Sequence, residues 1–559
     1  MSKRFAWVEK YRERVWFSVL LNALLLGAMM YVFRPSFETN DDMGLMSMVN
    51  GQKGVHDAHL VYSHYFLGLL LKALYQLKQW VPWYSMIQYC VLFSAFSAIT
   101  YALFRKMKQK ASIWIILILM TWFSYEGYIK IQYTKTAGIV SVAGMLLMLY
   151  AVTQERIRWR ALIVGILIAL TGYMYRSTQF WAEGVLMSGI GVCLLLELPA
   201  FEKGQRMRRF LRYAGSFGTL LILVLGLILV ERYAYQDEVW QEFTRYNEVR
   251  TELYDYGFPE YSQNEEVYLA LGIDKNTYRM MHQWTHIDPE KFTSNVFEKL
   301  AELKEPVKID RTFIEGFLEI FPIQFFTIPC FFCFLLIAVY WLLWGEHRRA
   351  ALLTFLYEFL VVGMLYFYLY YEGRYLLNRV DVGIWLAVST VLLWTFKTGN
   401  EYFTNRMGLA LWFTMLVTVQ VAWKVNWRIN TENTPVKQQE MRTVVETMYQ
   451  DQDHLYLIRS GPISYSKAYG VFDSVPFGLA KNTFPLGGWS AMTPAYQSSL
   501  ERFGIRNPFR DMIDNESVYL IDTDIEKTVT YLNTYYDEKA RAETVFELGG
   551  YKVYRITTK

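Results

Sequence analysis

Apolar residues run along this chain in blocks, separated by short charged stretches. A helix that crosses a bilayer needs about 20 mostly apolar residues. Eleven blocks come near that length: 15–33, 84–104, 111–126, 136–153, 161–175, 180–198, 213–231, 322–344, 350–371, 379–396 and 407–425. A further apolar run at 60–79 is interrupted by His64, Lys72 and Lys78. It reads as a helix lying in the membrane interface, with Pro82 and Trp83 marking the start of the next span. The apolar run after MSKRFAWVEKYRERVW is long and has no small-residue cleavage site behind it, so it reads as a span and not as a cleavable signal.

Basic residues orient these spans. They cluster at Lys3/Arg4/Lys10/Arg12/Arg14, Arg105/Lys106/Lys108/Lys110, Arg156/Arg158/Arg160, Lys203/Arg206/Arg208/Arg209/Arg212, Arg348/Arg349 and Lys397/Arg406. All six clusters fall on one side if 60–79 does not cross. The expected fold is a polytopic α-helical membrane protein of about 11 spans, with the N-terminus inside and the C-terminus outside. Two larger polar pieces then fall outside, 232–312 and 426–559. In the second, DHLYLIR, ESVYLIDT and GYKVYRIT read as strands, and KQQEMRTVVETMYQ and DIEKTVTYLNTYY as helices. That alternation predicts a C-terminal α/β soluble domain.

Composition agrees with this pattern. Of 559 residues 53% are hydrophobic and 17% aromatic, and a mean hydropathy of +0.13 is high for a chain with long polar stretches. A net charge of +4 is too small to point to nucleic acid. The four cysteines all lie in apolar runs, so no disulfide framework is expected. Cys330 and Cys333 form a C-x-x-C without nearby His or Asp, which argues against a zinc or redox site.

The candidate chemistry lies in the short outer loops. The first, 34–64, carries the adjacent Asp41 and Asp42 and then His56, Asp57, His59 and His64. The acidic pair could simply suit a helix start, where carboxylates meet unpaired N–H groups. SYEGYIKIQYTKTA holds Glu126, Lys130, Tyr133 and Lys135. YMYRSTQFWAE holds Arg176 and Glu183. LYYEGRYLLNRVD holds Arg374, Tyr375, Asn378, Arg379 and Asp381. Singly, each reads as a solvated or snorkelling side chain. Together they place cations where positive-inside bias should deplete them, opposite an acidic pair. That pattern suits an anionic lipid headgroup beside a carboxylate. A sugar on a polyprenyl phosphate needs cations for the departing phosphate and a base for the acceptor hydroxyl. Arg suits the phosphate because its planar fork grips two oxygens at once.

The layout resembles the GT-C fold of membrane glycosyltransferases, which use polyprenyl-linked donors. NDDMGL sits where that fold has the essential Asp of its first external loop. Asp41 and Asp42 resemble the paired acids of the protein mannosyltransferase and aminoarabinose transferase branches. HDAHLVYSHYFLGLLLK occupies the place of a His-Pro-Pro-like motif but lacks the prolines. YEGRYLLN resembles the Arg-Tyr motif of a late external loop. The resemblance covers 1–425, with 34–83 as the first external loop and 232–312 as the large one; no residues match in 426–559.

It implies an inverting glycosyltransferase that moves a sugar from a polyprenyl-phosphate-linked donor to a cell-envelope glycan, lipid or protein on the extracytoplasmic face. Asp41 would be the base, with Asp42 beside it. Arg374 would lead the phosphate clamp, followed by Arg176 and Arg379 and then Lys130 and Lys135. His56, His59, His64, Glu126, Tyr133 and Tyr375 would support sugar or acceptor. A divalent metal at Asp41, Asp42 and Glu126 is left open. The alternatives are a transporter or flippase of lipid-linked glycan, with Glu358 as a coupling carboxylate, an O-antigen ligase or polymerase-like enzyme, and a non-catalytic envelope scaffold. The lack of internal repeat favours the transferase over a transporter.

Overall fold

Long apolar runs form helices because a helix satisfies its own backbone hydrogen bonds without water. The computed structural model describes residues 2–559 except 110, 328, 347, 375–376, 398–403, 430–434 and 460. Eight helices among the described residues are long and apolar enough to cross a membrane: Val15–Val32, Trp83–Lys106, Ala111–Ile129, Tyr133–Thr153, Ser177–Ala200, Lys203–Ala234, Arg349–Tyr371 and Asn405–Val425. The other three expected spans are helices too. Trp159–Tyr175 and Pro329–Trp344 are shorter, and Asn378–Thr395 carries Arg379 and Asp381 in its first turn.

Burial ranks the helices. Tyr133–Thr153 is 94% buried and Lys203–Ala234 only 22%, so the first is the centre of the bundle and the second its rim. Asn378–Thr395 is buried from Asp381 to its end and lies beside that centre. Trp159–Tyr175 folds back on Tyr133–Thr153 at backbone contact. A Cβ on Gly144 would meet the Ala169 nitrogen at 2.3 Å, and one on Gly172 the Ser141 nitrogen at 2.8 Å. Small residues permit that approach where no hydrophobic drive acts between helices.

The basic clusters gather at one end of the bundle. Arg105 pairs with Glu13 at 2.7 Å and Lys397 with Glu197 at 3.6 Å. Arg212 donates to the Glu155 carbonyl at 3.0 Å, and the Glu346 amide to the Lys397 carbonyl at 2.6 Å. The first loop leaves the other end. Its Ser36–Phe37 pairs in parallel with Lys130–Ile131, and helices Asp41–Val49 and Tyr65–Leu77 follow. Thirteen residues at 1.5 Å each reach about 20 Å, so Tyr65–Leu77 is shorter than a hydrocarbon core of about 30 Å. It buries Leu67, Leu71 and Tyr75 and exposes Phe66, Leu69, Leu70 and Leu77.

The piece 232–312 forms helices Glu238–Tyr254, Glu265–Ala270, Lys275–His282 and Ser294–Glu302 around its own apolar cluster, which includes Tyr246, Leu253, Tyr268, Met281 and Phe297. Asp237, Asp274 and Thr293 cap three of them.

The C-terminal segment builds a five-stranded sheet in the order Thr483–Pro485, Leu455–Arg459, Val518–Asp522, Tyr551–Thr557, Arg541–Leu548. The first three strands are parallel and the last two antiparallel. Three strands and both helices fall where the apolar pattern predicts them. Thr483–Pro485 is too short to show a pattern, and Arg541–Leu548 is an edge strand with mostly exposed side chains.

This segment docks on the first loop. The Gly478 and Ala480 amides donate to the Gly51 and Gln52 carbonyls at 2.9 and 2.8 Å. Lys53 is buried, donates to the Ala480 and Thr483 carbonyls at 3.1 and 2.8 Å, and lies over the Tyr496 ring. Burial pushes its ammonium down to about 7.

Candidate functional site

The two adjacent carboxylates of the first loop are not equivalent. Both open helix Asp41–Val49, so successive side chains point in different directions. Asp42 is fully buried. It accepts from the Tyr84 hydroxyl at 2.9 Å and the Tyr133 amide at 3.3 Å. Burial pushes its carboxyl up to about 7, the Tyr84 and Tyr133 bonds oppose that, and the nearby Asp41 charge adds to it. Asp42 therefore sits at the start of a different helix, Tyr133–Thr153, and ties the first loop to the bundle centre. Asp41 is only half-buried and accepts one 3.3 Å bond from the Thr39 hydroxyl. Of the pair, Asp41 is the carboxylate left accessible.

Tyr133 is the hub of the site. Asp41, Asp42, Arg176 and Tyr62 all lie within electrostatic range of its hydroxyl. Arg176, at the junction of Trp159–Tyr175 and Ser177–Glu197, donates to that hydroxyl. Its guanidinium lies 5.3 Å from the Tyr133 ring centre and 5.2 Å from that of Tyr62, a cation–π sandwich. It makes no ion pair within 4 Å of a carboxylate among the described residues. Arg250 also reaches this tyrosine, its Nη2 lying 3.5 Å from the Tyr62 hydroxyl. Two tryptophans border this row. Trp489 meets the Tyr62 ring edge-on at 4.8 Å, and Trp284 lies 5.8 Å from the Arg250 guanidinium.

The tryptophans come from separate pieces joined by a backbone zip. The His286 amide donates to the Leu486 carbonyl at 3.2 Å, and the Gly488 amide to His286 Nε2 at 3.1 Å. Burial, helped by the Arg250 charge, pushes His286 down to about 3, so the ring is neutral and Nε2 is free to accept. Nδ1 then carries the proton and donates to the Tyr246 hydroxyl at 2.8 Å, which in turn donates to the His286 carbonyl. A Cβ on Gly487 would lie 1.5 Å from the Trp284 carbonyl oxygen, so only glycine fits this crossing.

The loop cations Lys130 and Lys135 sit apart from this row. Lys135 bonds Glu126 at 2.6 Å and Glu38 at 2.5 Å. Lys130 lies 3.7 Å from each of the same two carboxylates. The Asn378 amide donates to both, at 3.2 and 3.1 Å. Burial pushes Glu38 up, but Lys135 and Lys130 hold its carboxyl below the usual range. Two ammoniums stand against two carboxylates, so Lys130 and Lys135, expected in the phosphate clamp, have their charge met within the protein. Glu126 is their counter-ion.

Other expected site residues are also engaged elsewhere. Arg374 pairs with Asp255 at 2.5 Å and lies over the Tyr256 ring, so its charge is met within the protein. Arg379 is half-buried and, among the described residues, makes no ion pair with Asp381, whose carboxylate instead accepts from the Tyr366 hydroxyl at 2.8 Å. Tyr375 lies outside the described residues.

The three histidines hold the first loop together. His56 bonds the Val49 carbonyl at 2.8 Å. His59 bonds Asp57 at 2.6 Å and the Ala234 carbonyl at 3.0 Å, and stacks on Trp240. His64 caps Tyr65–Leu77 and bonds the Leu227 carbonyl at 2.9 Å. Among the described residues no three His, Cys, Asp or Glu side chains form a group able to hold a metal, so Asp41, Asp42 and Glu126 do not converge on one. Glu358 lines a crevice of only about 10 Å³ with Thr354, Phe355 and Val388, and neither of its oxygens has a partner among the described residues.

No family model, no curated protein and no solved structure matches the chain.

Four residues of this region carry no motif: Glu38, Arg250, Trp284 and Trp489. Arg250 had a signal in the spacing. Trp240, Phe243, Tyr246 and Leu253 mark an apolar helix stripe, and Arg250 falls on it at 3.6-residue periodicity. A cation on the buried stripe of a helix is an exception that asks for a partner.

Proposed function

We propose that this protein is a GT-C-type membrane glycosyltransferase that moves a sugar from a polyprenyl-phosphate-linked donor to a cell-envelope acceptor. In this reading the chain is a multi-pass protein of the cell membrane, and the site lies on its extracytoplasmic face with 426–559 on the same side. The observation that carries it is the juxtaposition around Tyr133. An accessible carboxylate, Asp41, and a guanidinium without a carboxylate partner, Arg176, flank one buried tyrosine at the bundle end opposite the basic clusters.

Asp41 takes the proton of the acceptor hydroxyl as its oxygen bonds to the anomeric carbon. The bond from that carbon to the phosphate oxygen breaks, and the phosphate leaves as an anion toward Arg176. Asp42 holds the helix that presents Asp41 and does not touch substrate. The test is sugar transfer by protein in nanodiscs, supplied with polyprenyl-phosphate sugars extracted from its host membrane. Transfer by the wild type that is abolished in Asp41→Asn is the expected result. Equal transfer by Asp41→Asn removes the base role, and no transfer by either protein from any donor in the extract removes the activity.

A second reading, a transporter of lipid-linked glycan, draws support from Glu358, a buried carboxylate without partners in a span. Flipping of a fluorescent lipid-linked sugar in proteoliposomes, lost in Glu358→Gln and kept in Asp41→Asn, would select it.

A further inference from the structure

We infer that Arg250 and Arg176 form one anion site, clasped around Tyr62 and completed by the large loop, for the phosphate of a polyprenyl phosphate or diphosphate. The inference deepens the donor reading and rests on it for the lipid. The anion site itself rests on geometry.

Arg250 is 1% exposed. A guanidinium has five N–H donors in a fixed fork. Nε donates to Asn247 at 3.2 Å, and Nη2 is shared among Asn247, Thr251 and the Tyr62 hydroxyl. Nη1 has no acceptor among the described residues. No carboxylate lies within 4 Å of Arg250 among the described residues, although Asp255 is nearby on the chain and engaged by Arg374. A buried charge without a counter-ion is costly, and a prong without an acceptor adds to that cost. The tyrosines, His286 and Trp284 around it supply ring faces but no negative charge, and His286 is neutral. A structural arginine would be satisfied here. This one is two donors and one charge short.

Arg176, which is half-buried, also lacks a carboxylate within 4 Å among the described residues. It has Tyr133 and Thr178 as hydrogen-bond partners. Tyr62, which both cations touch, is held by unusual backbone. Val61, just before Tyr62, has φ +61°, a left-handed conformation that a β-branched residue rarely adopts, and its amide is fixed by the Tyr235 hydroxyl at 3.0 Å. Trp284 has φ +59° and is 44% exposed, so Arg250 lies one ring below the surface. Arg250 belongs to Glu238–Tyr254 of the large loop and Arg176 to the bundle. An anion between them would bridge the two, and the loop supplies half of the site.

Wild-type protein in nanodiscs tests this by backbone hydrogen exchange around 247–251 and 174–178, with farnesyl phosphate, farnesyl diphosphate, farnesol and inorganic pyrophosphate as probes. Either farnesyl ester should protect Arg250 and Arg176 together, while farnesol should protect neither. Failure of both esters and of pyrophosphate to protect Arg250 overturns the site. Protection by inorganic pyrophosphate without protection by the esters overturns the lipid assignment. In titrations, Arg250→Gln and Arg176→Gln should each weaken binding of the better ester at least about tenfold, as expected for the loss of charge-assisted hydrogen bonds. Unchanged affinity in folded Arg250→Gln overturns the proposal as well. Should Arg250→Gln not fold, the wild-type protection pattern decides alone. Protection in a protein without transfer activity keeps the anion site and removes the transferase. Full transfer by Arg250→Gln at subsaturating donor keeps the transferase and removes this site.

Discussion

Two charged regions lie near the same end of the bundle and draw on the same residue types. In one, Glu38, Glu126, Lys130 and Lys135 close on themselves with Asn378. In the other, Arg176 and Arg250 face tyrosines and tryptophans and, among the described residues, have no carboxylate within 4 Å. The first region is a fastener. It pins Ser36–Phe37 and the turn Tyr125–Ile129 to the start of Asn378–Thr395, and its charges cancel. The second keeps positive charge next to the accessible Asp41. Charge in a membrane-edge loop is therefore a poor guide to a site; charge that the protein leaves unbalanced is a better one.

The comparison breaks first at Lys135. Lys135→Met strips the short contacts from two carboxylates, and loss of one partner of a buried pair costs about 3–5 kcal/mol. Thermal unfolding in nanodiscs should show the largest shift of any single change in either region. A shift no larger than that of Lys130→Met, whose contacts are 3.7 Å, would mean the cluster is not a fastener.

Next comes Asp41. Asp41→Asn should lower sugar transfer by at least about a hundredfold, the lower end of general-base contributions, with unfolding temperature unchanged. Asp42→Asn should do the reverse, because Tyr84 and Tyr133 each donate to a different oxygen of Asp42 and an amide NH2 replaces one of those two acceptors inside the protein. Equal behaviour of the two variants would erase the distinction between an accessible and a structural acid.

Acid should loosen the unbalanced region through His286. Its folded value, about 3, lies below the unfolded value near 6.5, so the unfolded state binds the proton more readily between them. The stabilisation is complete above about pH 6.5 and is lost as pH falls through about 3. Hydrogen exchange at 284–288 and 486–489 should accelerate over that window in the wild type, and His286→Gln should lack the dependence.

The smallest effect belongs to Arg374. Its pair with Asp255 is about one quarter exposed on each side, and such pairs contribute about 0–1 kcal/mol. Arg374→Ala should change donor affinity by less than about fivefold. A loss beyond tenfold would return the phosphate to Arg374 and leave Arg250 as a core residue.

Much of the helical layout was legible because apolar runs report burial directly. The interrupted run 60–79 was legible for the same reason, since His64 and Lys72 break its length. The strands Leu455–Arg459 and Val518–Asp522 are fully buried and stood out as apolar blocks. The acidic pair was legible as a pair, but not which member is locked, because the partners of Asp42 sit 42 and 91 residues away. The pairing of Arg374 with Asp255 spans 119 residues and leaves no local trace. The positive-inside argument reads charge as though each side chain met water or lipid, and so it counted Lys130 and Lys135 as available when Glu38 and Glu126 had already claimed them.

The crossing of Gly487 over Trp284 constrains how this protein can change by descent. A single substitution at 487 to any residue with a Cβ collides with the carbonyl of 284, and relief requires the chain to be redrawn on the other piece at the same time. Neither piece can drift alone at that point. The order GGW should therefore persist in any descendant that keeps WTH, and a lineage that loses one should be found to have lost the other.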